Sequence, residues 1–349
     1  MAFSEGKTTI VLGAGASKEA GLPIGRELKS QIARLVDIRY EDGFTRASGS
    51  AEIDGAFRVS CRTEGTRDIN PYLHACWRIR DAMPQAVSID NYLDAHAYDR
   101  LTVTAGKLAI AQSILEAEKR SSLYIAQGRR GEMIDFGRME ETWFNKFVQL
   151  LTENCRASDL PTSLSNLTVI SFNYDRCFEQ FLYFALKNYY RLEDREITDL
   201  LNDFSVYHPY GRVGSLPWQR QQTPIEFGVD PTPQSLLAIS TQIRTFTEGT
   251  DPQTSSIDAI RGAVASCDRL IFLGFAFHPM NMQLLSSTEN ESAPRASYGT
   301  ALGLSKPDRI IVEREIKGLV GQDIETVELR NDLTCSQLLD EYRRSLTSI

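Results

Sequence analysis

Apolar and polar positions along the chain follow two periods, one typical of strands and one typical of helices. Runs of apolar, β-branched residues predict strands buried on both faces, and the clearest lie at 8–12, 167–172 and 269–273. Shorter runs predict strands at 205–208, 236–240, 298–302, 309–312 and 326–329. Helical spacing alternates with them at 26–36, 175–190, 256–266, 307–320 and 335–347, and the segment 309–312 satisfies both patterns.

Residues 37–165 show a different pattern of apolar and polar positions from the rest of the chain. The stretch 38–70 is polar and without a clear period, which predicts a loop. Helical patterns follow at 71–83, 88–98, 101–126 and 140–156, with Ser88 as the expected N-cap of the second. We therefore predict an α/β protein with a Rossmann-like, doubly wound parallel sheet formed by 1–36 and 166–349. A mainly helical subdomain, 37–165, would interrupt it.

Composition and charge exclude several classes of protein. The formal net charge is −8 and no tract is strongly basic, so we expect no direct binding to nucleic acid. The longest apolar run, 270–277, is too short to span a bilayer, and the polar first seven residues lack a signal-peptide core. The six cysteines lack the paired spacing of a structural zinc site. These features predict a cytoplasmic protein without membrane contact.

A glycine-containing turn follows the first strand. In such sheets this turn binds phosphate, because glycine lets the backbone approach the anion and the next helix offers free N–H groups. Lys18 stands where a dehydrogenase fingerprint has its third glycine, so that fingerprint fails. The alternative is a tight strand–helix turn without a ligand. The turn has the sequence Gly13-Ala14-Gly15-Ala16-Ser17.

Four blocks of the sequence, in order, resemble the sirtuin family. The turn is followed after three residues by Gly21-Leu22-Pro23, the spacing of the family's opening motif. The block 171–175, SFNYD, resembles the sirtuin Thr-Gln-Asn-x-Asp element, and 207–211, YHPYG, resembles the block that carries the catalytic His-Gly. The strand 269–273 with Gly274 and Phe275 resembles the later strand and its turn.

The chain also departs from deacetylating sirtuins. Ile24-Gly25-Arg26 follows Pro23 where they have Asp-Phe-Arg, Pro209 and Tyr210 intervene between His208 and Gly211, and their zinc module is missing. This combination resembles the sirtuin-like NADases of bacterial anti-phage defence, which deplete the cell of NAD⁺. The resemblance implies an NAD⁺ glycohydrolase that releases nicotinamide and ADP-ribose and needs no metal. It also implies a homo-oligomer or a separately encoded sensing partner, a helicase-like ATPase or an Argonaute.

The resemblance also assigns roles to residues. Asn173 would hold the attacking water or the ribose, His208 would act as the base, and Asp175 would orient the nicotinamide carboxamide or brace the loop. Structural alternatives are that Asp175 caps the following helix and that His208 is an ordinary buried histidine; His278 could also reach the ligand. The implied NAD⁺-binding residues are Gly13, Ala14, Gly15, Ala16, Ser17, Leu22, Pro23, Gly274 and Phe275.

Two other functions stay open on the sequence alone. One is NAD⁺-dependent protein deacylation or ADP-ribosyl transfer, which the missing zinc module and Asp-Phe-Arg disfavour. The other is a non-catalytic sensor of NAD⁺ or ADP-ribose, which the presence of both Asn173 and His208 disfavours.

Overall fold

The central feature is a six-stranded parallel sheet. A computed structural model of the chain describes residues 3, 6–126, 133–220, 223–251, 253, 255–286, 296–320 and 324–347. The sheet has the order β5-β4-β1-β6-β7-β8, and β2 and β3 form a separate antiparallel hairpin. The strands are β1 (Thr8–Leu12), β2 (Arg39–Glu41), β3 (Thr45–Ser48), β4 (Leu167–Ser171), β5 (Ser205–Tyr207), β6 (Arg269–Leu273), β7 (Ala296–Thr300) and β8 (Thr326–Arg330).

The strand order confirms the predicted α/β, Rossmann-like fold. Counted along the chain, the six strands of the sheet run 3-2-1-4-5-6, the order of dinucleotide-binding Rossmann domains. The order reverses between β1 and β6. In register, Leu12 of β1 lies opposite Ser171 of β4 and Leu273 of β6. The segments that follow these three strands therefore meet at one edge of the sheet, where such folds bind ligands.

Helices cover the sheet and fill the segment between β1 and β4. A 3₁₀ turn, Ala157–Asp159, precedes the ninth helix. The helices are α1 (Ala14–Lys18), α2 (Gly25–Val36), α3 (Ala51–Thr63), α4 (Asn70–Ala82), α5 (Ile89–Ala95), α6 (Arg100–Arg120), α7 (Phe136–Met139), α8 (Trp143–Thr152), α9 (Leu160–Ser165), α10 (Cys177–Tyr190), α11 (Asp194–Asn202), α12 (Pro233–Ser240), α13 (Phe246–Gly249), α14 (Ile257–Ala265), α15 (Pro279–Leu285), α16 (Lys306–Val320), α17 (Cys335–Glu341) and α18 (Arg343–Thr347).

Three of the predicted elements are wrong. The strand predicted at 236–240 lies in α12, which starts with Pro233 after the N-cap Thr232. The strand predicted at 309–312 lies in α16, so the helical alternative holds there. The loop predicted at 38–70 contains the β2–β3 hairpin and α3, whose N-cap Ser50 accepts a hydrogen bond from the backbone of Ile53. The caps at Thr232 and Ser50 specify helix starts, and they outweighed the short apolar run at 236–240 and the aperiodic pattern at 38–70.

Residues 37–165 share their hydrophobic core with the sheet. One buried cluster contains Val11 of β1 together with Phe57 and Leu108 of the insertion. A second contains Leu12 with Trp143. The indole Nε1 of Trp143 also donates to the backbone oxygen of Ala16 at 2.8 Å. The inserted helices are thus packed as part of the crossover between β1 and β4.

None of the helices in the described ranges is long and apolar enough to cross a membrane.

Candidate functional site

The turns after β1 and β6 are in direct backbone contact. Gly15 donates its N–H to the oxygen of Gly274 at 3.0 Å, and Gly13 donates to the oxygen of Leu273 at 3.0 Å. A Cβ on Gly13 would lie 2.5 Å from the Gly274 oxygen, and one on Gly15 would lie 2.8 Å from the Gly274 Cα. The close approach of the two turns therefore explains both glycines without a ligand, and it occupies the Gly15 N–H expected to face phosphate.

A cleft opens beside these turns, at the carboxyl edge of the sheet. Its volume is about 1110 Å³ with the open mouth included. Of the residues predicted from the sequence, the lining includes Gly13, Ala14, Leu22, Pro23, Asn173, Asp175 and Phe275. The others do not line it, namely Gly15, Ala16, Ser17, Gly274 and His208. The structure thus brings together the turn, the Asn173 block and Phe275. Ser17 and Gly274 lie outside the lining, where Ser17 is hydrogen-bonded to Asn173 and Gly274 to Gly15.

A polar network joins the β1 turn to the segment after β4. The Asn173 amide nitrogen donates to the backbone oxygen of Gly13 at 3.0 Å and to the Ser17 hydroxyl at 3.0 Å. The Ser17 hydroxyl donates to Asp175 Oδ1 at 3.0 Å. Since a backbone oxygen only accepts, these bonds fix the orientation of the amide. Both amide hydrogens are used, and the amide oxygen remains as the group that Asn173 can offer to a ligand in the cleft.

Asp175 has a structural task in this network. Its Oδ1 also accepts from the backbone N–H of Cys177, the first residue of α10, at 3.0 Å. The carboxylate therefore satisfies a free N–H at the start of that helix, as the structural alternative predicted. Burial raises the pKa of Asp175, against the lowering effect of its hydrogen bonds. Asp175 both lines the cleft and braces the loop that carries Asn173.

His208 lies in a closed network outside the lining. Its Nδ1 is 3.1 Å from the backbone oxygen of Asn173, and its Nε2 is 2.9 Å from Glu179 Oε1. Both partners are acceptors, so both bonds require a hydrogen on each ring nitrogen. The ring then has no lone pair that could take a proton from substrate. This geometry departs from the predicted role of His208 as base, and it makes His208 a support for the Asn173 backbone.

Glu179 is the buried anion of this network. Its Oε1 also accepts from Arg212 at 2.7 Å, and its side chain is only 3% exposed. Burial alone would raise the pKa of the carboxyl, but the charges of His208 and Arg212 and the hydrogen bond from His208 outweigh it and lower the pKa to about 2. The ionised Glu179 therefore stabilises the folded protein.

Replacing Glu179 with glutamine is expected to weaken the acid dependence of stability. A pKa lowered from 4.5 to about 2 on folding contributes stability above pH 4.5, and this contribution is lost as the pH falls through that interval. Such a shift corresponds to about 3 kcal/mol. Urea unfolding of wild type and Glu179→Gln from neutral pH to about pH 2.5 should show the two free energies converging. The exposed Glu141→Gln is the control, and parallel pH curves for Glu179→Gln and wild type would contradict the assignment.

Tyr210 is one of the two residues that separate His208 from Gly211 in the block 207–211. It directly precedes Gly211, and its side chain lines the cleft. Its hydroxyl donates to Asn281 Oδ1 at 2.6 Å, and its ring packs 5.7 Å from that of Phe172. Burial raises its pKa. Tyr210 was not among the predicted site residues, because the resemblance of the block to His-Gly points to its histidine, His208.

The insertion also contributes to the cleft, which the sequence did not indicate. Ser88 and Asp90 at the start of α5 line it, facing a region that also includes Tyr174 and His278. The Tyr174 hydroxyl donates to Asp90 Oδ1. Ser88 caps α5 as predicted, by accepting from the backbone N–H of Asn91 at 3.0 Å. The cap at Ser88 could be predicted because it involves neighbouring residues. The contact between Asp90 and Tyr174 could not, because these two residues are far apart in the chain.

No protein-family model matches the sequence, and no curated protein matches it. The resemblance to sirtuin-like NADases therefore rests on the residues quoted above. Within the described ranges, no group of three or more His, Cys, Asp or Glu side chains is arranged to hold a metal ion.

Proposed function

We propose that the cleft binds NAD⁺ and that the protein hydrolyses the nicotinamide–ribose bond. The observation that carries the proposal is the direct linkage of Asn173 to the turn after β1. Both groups line one cleft at the point where the strand order reverses, the place at which Rossmann-like sheets bind dinucleotides. The amide oxygen of Asn173 would accept a hydrogen bond from the attacking water or a ribose hydroxyl.

Hydrolysis of this bond requires that the ribose and one water molecule be positioned and that bulk water be excluded. Departure of nicotinamide builds positive charge on the ribose, so the site must hold the sugar and a water on its far face. Aromatic rings of Phe172, Phe275 and Tyr210 form one apolar part of the cleft, with centroids 5.0 Å and 5.7 Å from Phe172. Depletion of cellular NAD⁺ in anti-phage defence is the physiological role that accords with this reaction.

Replacing Asn173 with alanine is expected to lower nicotinamide release about 100-fold, the loss typical of removing one preorganised polar group. The assay is chromatography of nicotinamide and ADP-ribose after incubation of purified protein with NAD⁺. Asn145→Ala is the matched control because Asn145 lies on α8 and does not line the cleft. Thermal unfolding of both variants separates loss of chemistry from loss of fold. Wild-type rates in Asn173→Ala would refute the proposal.

A second function, a non-catalytic sensor of NAD⁺ or ADP-ribose, is favoured by one observation. Both ring nitrogens of His208 are hydrogen-bonded inside the protein, so the predicted base is not offered to a ligand. Calorimetric binding of NAD⁺ by wild type without nicotinamide release, alone and with candidate partner proteins, would support the sensor and exclude hydrolysis.

A further inference from the structure

Asp90, in the insertion, is a carboxylate that lines the cleft and has no role in the hydrolysis as proposed so far. Asp90 is the second residue of α5 and lines the cleft together with Asn173 and Tyr174. Its Oδ1 accepts from the Tyr174 hydroxyl. Tyr174 lies between Asn173 and Asp175 in the chain, so the contact ties the inserted helix to the segment that holds the predicted site.

The charged group that the structure sets against Asp90 is His278, which also lines the cleft. Among the described residues, no Lys or Arg lines the cleft or pairs with Asp90. The titratable groups that line the cleft are Asp90, Asp175, His278, Tyr174 and Tyr210. Asp175 is already bound to Ser17 and to the N–H of Cys177. Asp90 accepts from the Tyr174 hydroxyl, its own backbone N–H and Ser88, which are neutral donors, so its negative charge is not balanced by a lysine or arginine in the part of the chain that the structure describes.

We propose that Asp90 contacts the nicotinamide–ribose half of NAD⁺ and acts there as a catalytic residue. This inference rests on the proposed function, because it needs NAD⁺ in the cleft. The nicotinamide ring of NAD⁺ is cationic, and the positive charge moves to the ribose as the bond breaks. A fixed carboxylate stabilises both states in a partly desolvated cleft.

The same carboxylate completes the proton balance of hydrolysis. The bond between the ribose C1′ and the ring nitrogen breaks, and its electron pair goes to the nicotinamide, which leaves neutral. The oxygen of water bonds to C1′, and Asp90 takes the proton that this water loses and later returns it to solvent. Burial raises the pKa of Asp90, partly offset by the Tyr174 hydrogen bond and the charge of His278, which makes it a stronger base than an exposed aspartate.

The test compares two ligands that differ in charge at the nicotinamide ring. NAD⁺ carries the cationic ring and NADH a neutral one, so wild type is expected to bind NAD⁺ about tenfold more tightly than NADH. Asp90→Asn keeps an oxygen that can accept from Tyr174 but removes the charge. We expect this variant to lose the preference for NAD⁺ and, in the hydrolysis assay, to release nicotinamide about 100-fold more slowly.

Two further variants separate the charge from structural effects. Tyr174→Phe removes the hydrogen bond to Asp90 and leaves the carboxylate, so the preference for NAD⁺ should remain. Asp94→Asn is the matched control on the same helix, because Asp94 accepts from the Thr247 hydroxyl at 2.8 Å and does not line the cleft. It should leave both the preference and the rate unchanged.

The outcomes distinguish this inference from the proposed hydrolysis. An unchanged ligand preference and an unchanged rate in Asp90→Asn would overturn the role of Asp90 even if wild type hydrolyses NAD⁺. A wild type that binds NAD⁺ without turnover would refute hydrolysis, while the loss of preference in Asp90→Asn would still support the contact. Failure of wild type to bind either nucleotide would refute both.

Discussion

Replacing Glu118 with leucine is expected to lower the free energy of unfolding by about 3–5 kcal/mol, the cost typical of leaving a buried charge without its partner. The partner is Arg176, which follows Asp175 at the start of α10. Both side chains are fully buried, with Nη2 2.5 Å from Oε2 and Nε 3.1 Å from Oε1. Glu118 also accepts the backbone N–H of Arg176 at 3.1 Å and that of Gly228 at 3.1 Å.

Urea unfolding measures this loss of stability, and two further variants test whether the buried ion pair is its cause. Arg120→Ala, on the same helix, removes a surface pair with Glu116 at 3.7 Å and should change the free energy by less than about 1 kcal/mol. A double variant, Glu118→Leu with Arg176→Met, removes both charges and should recover part of the loss. Recovery of stability will be incomplete because Arg176 also donates to the backbone oxygens of Ile225 and Glu226. A change below about 1 kcal/mol in Glu118→Leu would contradict the expected role of the pair.

The pair also determines how the insertion relates to the cleft. Glu118 lies in α6 of the insertion, and Arg176 directly precedes α10, whose first N–H group is bound by Asp175. A change at Glu118 therefore acts on the loop that carries Asn173, although Glu118 does not line the cleft. We expect nucleotide binding by Glu118→Leu to weaken together with its stability.

The sequence could predict the parts of the fold that depend on local pattern. The strands β1, β4 and β6 were predicted because a buried parallel strand is rich in apolar and β-branched residues, and all residues of β1 and β6 are buried. The helix start at Ser88 was predicted because a hydroxyl cap acts within three residues.

The remaining features depend on contacts between distant residues. Asp90 enters the cleft only because α5 packs beside Tyr174, 84 positions away in the chain. His208 turns from the cleft because Glu179 and the Asn173 backbone bind its two nitrogens. Tyr210 reaches the cleft in its place. The sequence motif can locate the block 207–211. It cannot tell whether His208 or Tyr210 faces the cleft, because that depends on which side chain is bound by distant buried residues.

Replacing Gly274 with alanine is expected to destabilise the protein by about 3 kcal/mol or more and to abolish nucleotide binding. Gly274 has a φ of +58°, where a side chain adds strain, and a Cβ there would lie 2.0 Å from the Ala16 nitrogen and 2.3 Å from the Gly15 carbonyl carbon. Both contacts are to backbone, so no side-chain rotation relieves them. The turns after β1 and β6 would have to separate, and these turns carry Gly13, Ala14 and Phe275 of the cleft lining.

Gly303→Ala isolates the effect of the clash from the effect of backbone strain. Gly303 also has a positive φ, +83°, but a Cβ there would meet nothing within 4 Å. This variant should lose only about 1 kcal/mol and should bind NAD⁺ as wild type does. Calorimetric titration and urea unfolding of both variants give the comparison. Equal losses in the two would mean that strain alone sets the cost at Gly274. Intact binding in Gly274→Ala would mean that the contact between the turns is not what shapes the cleft.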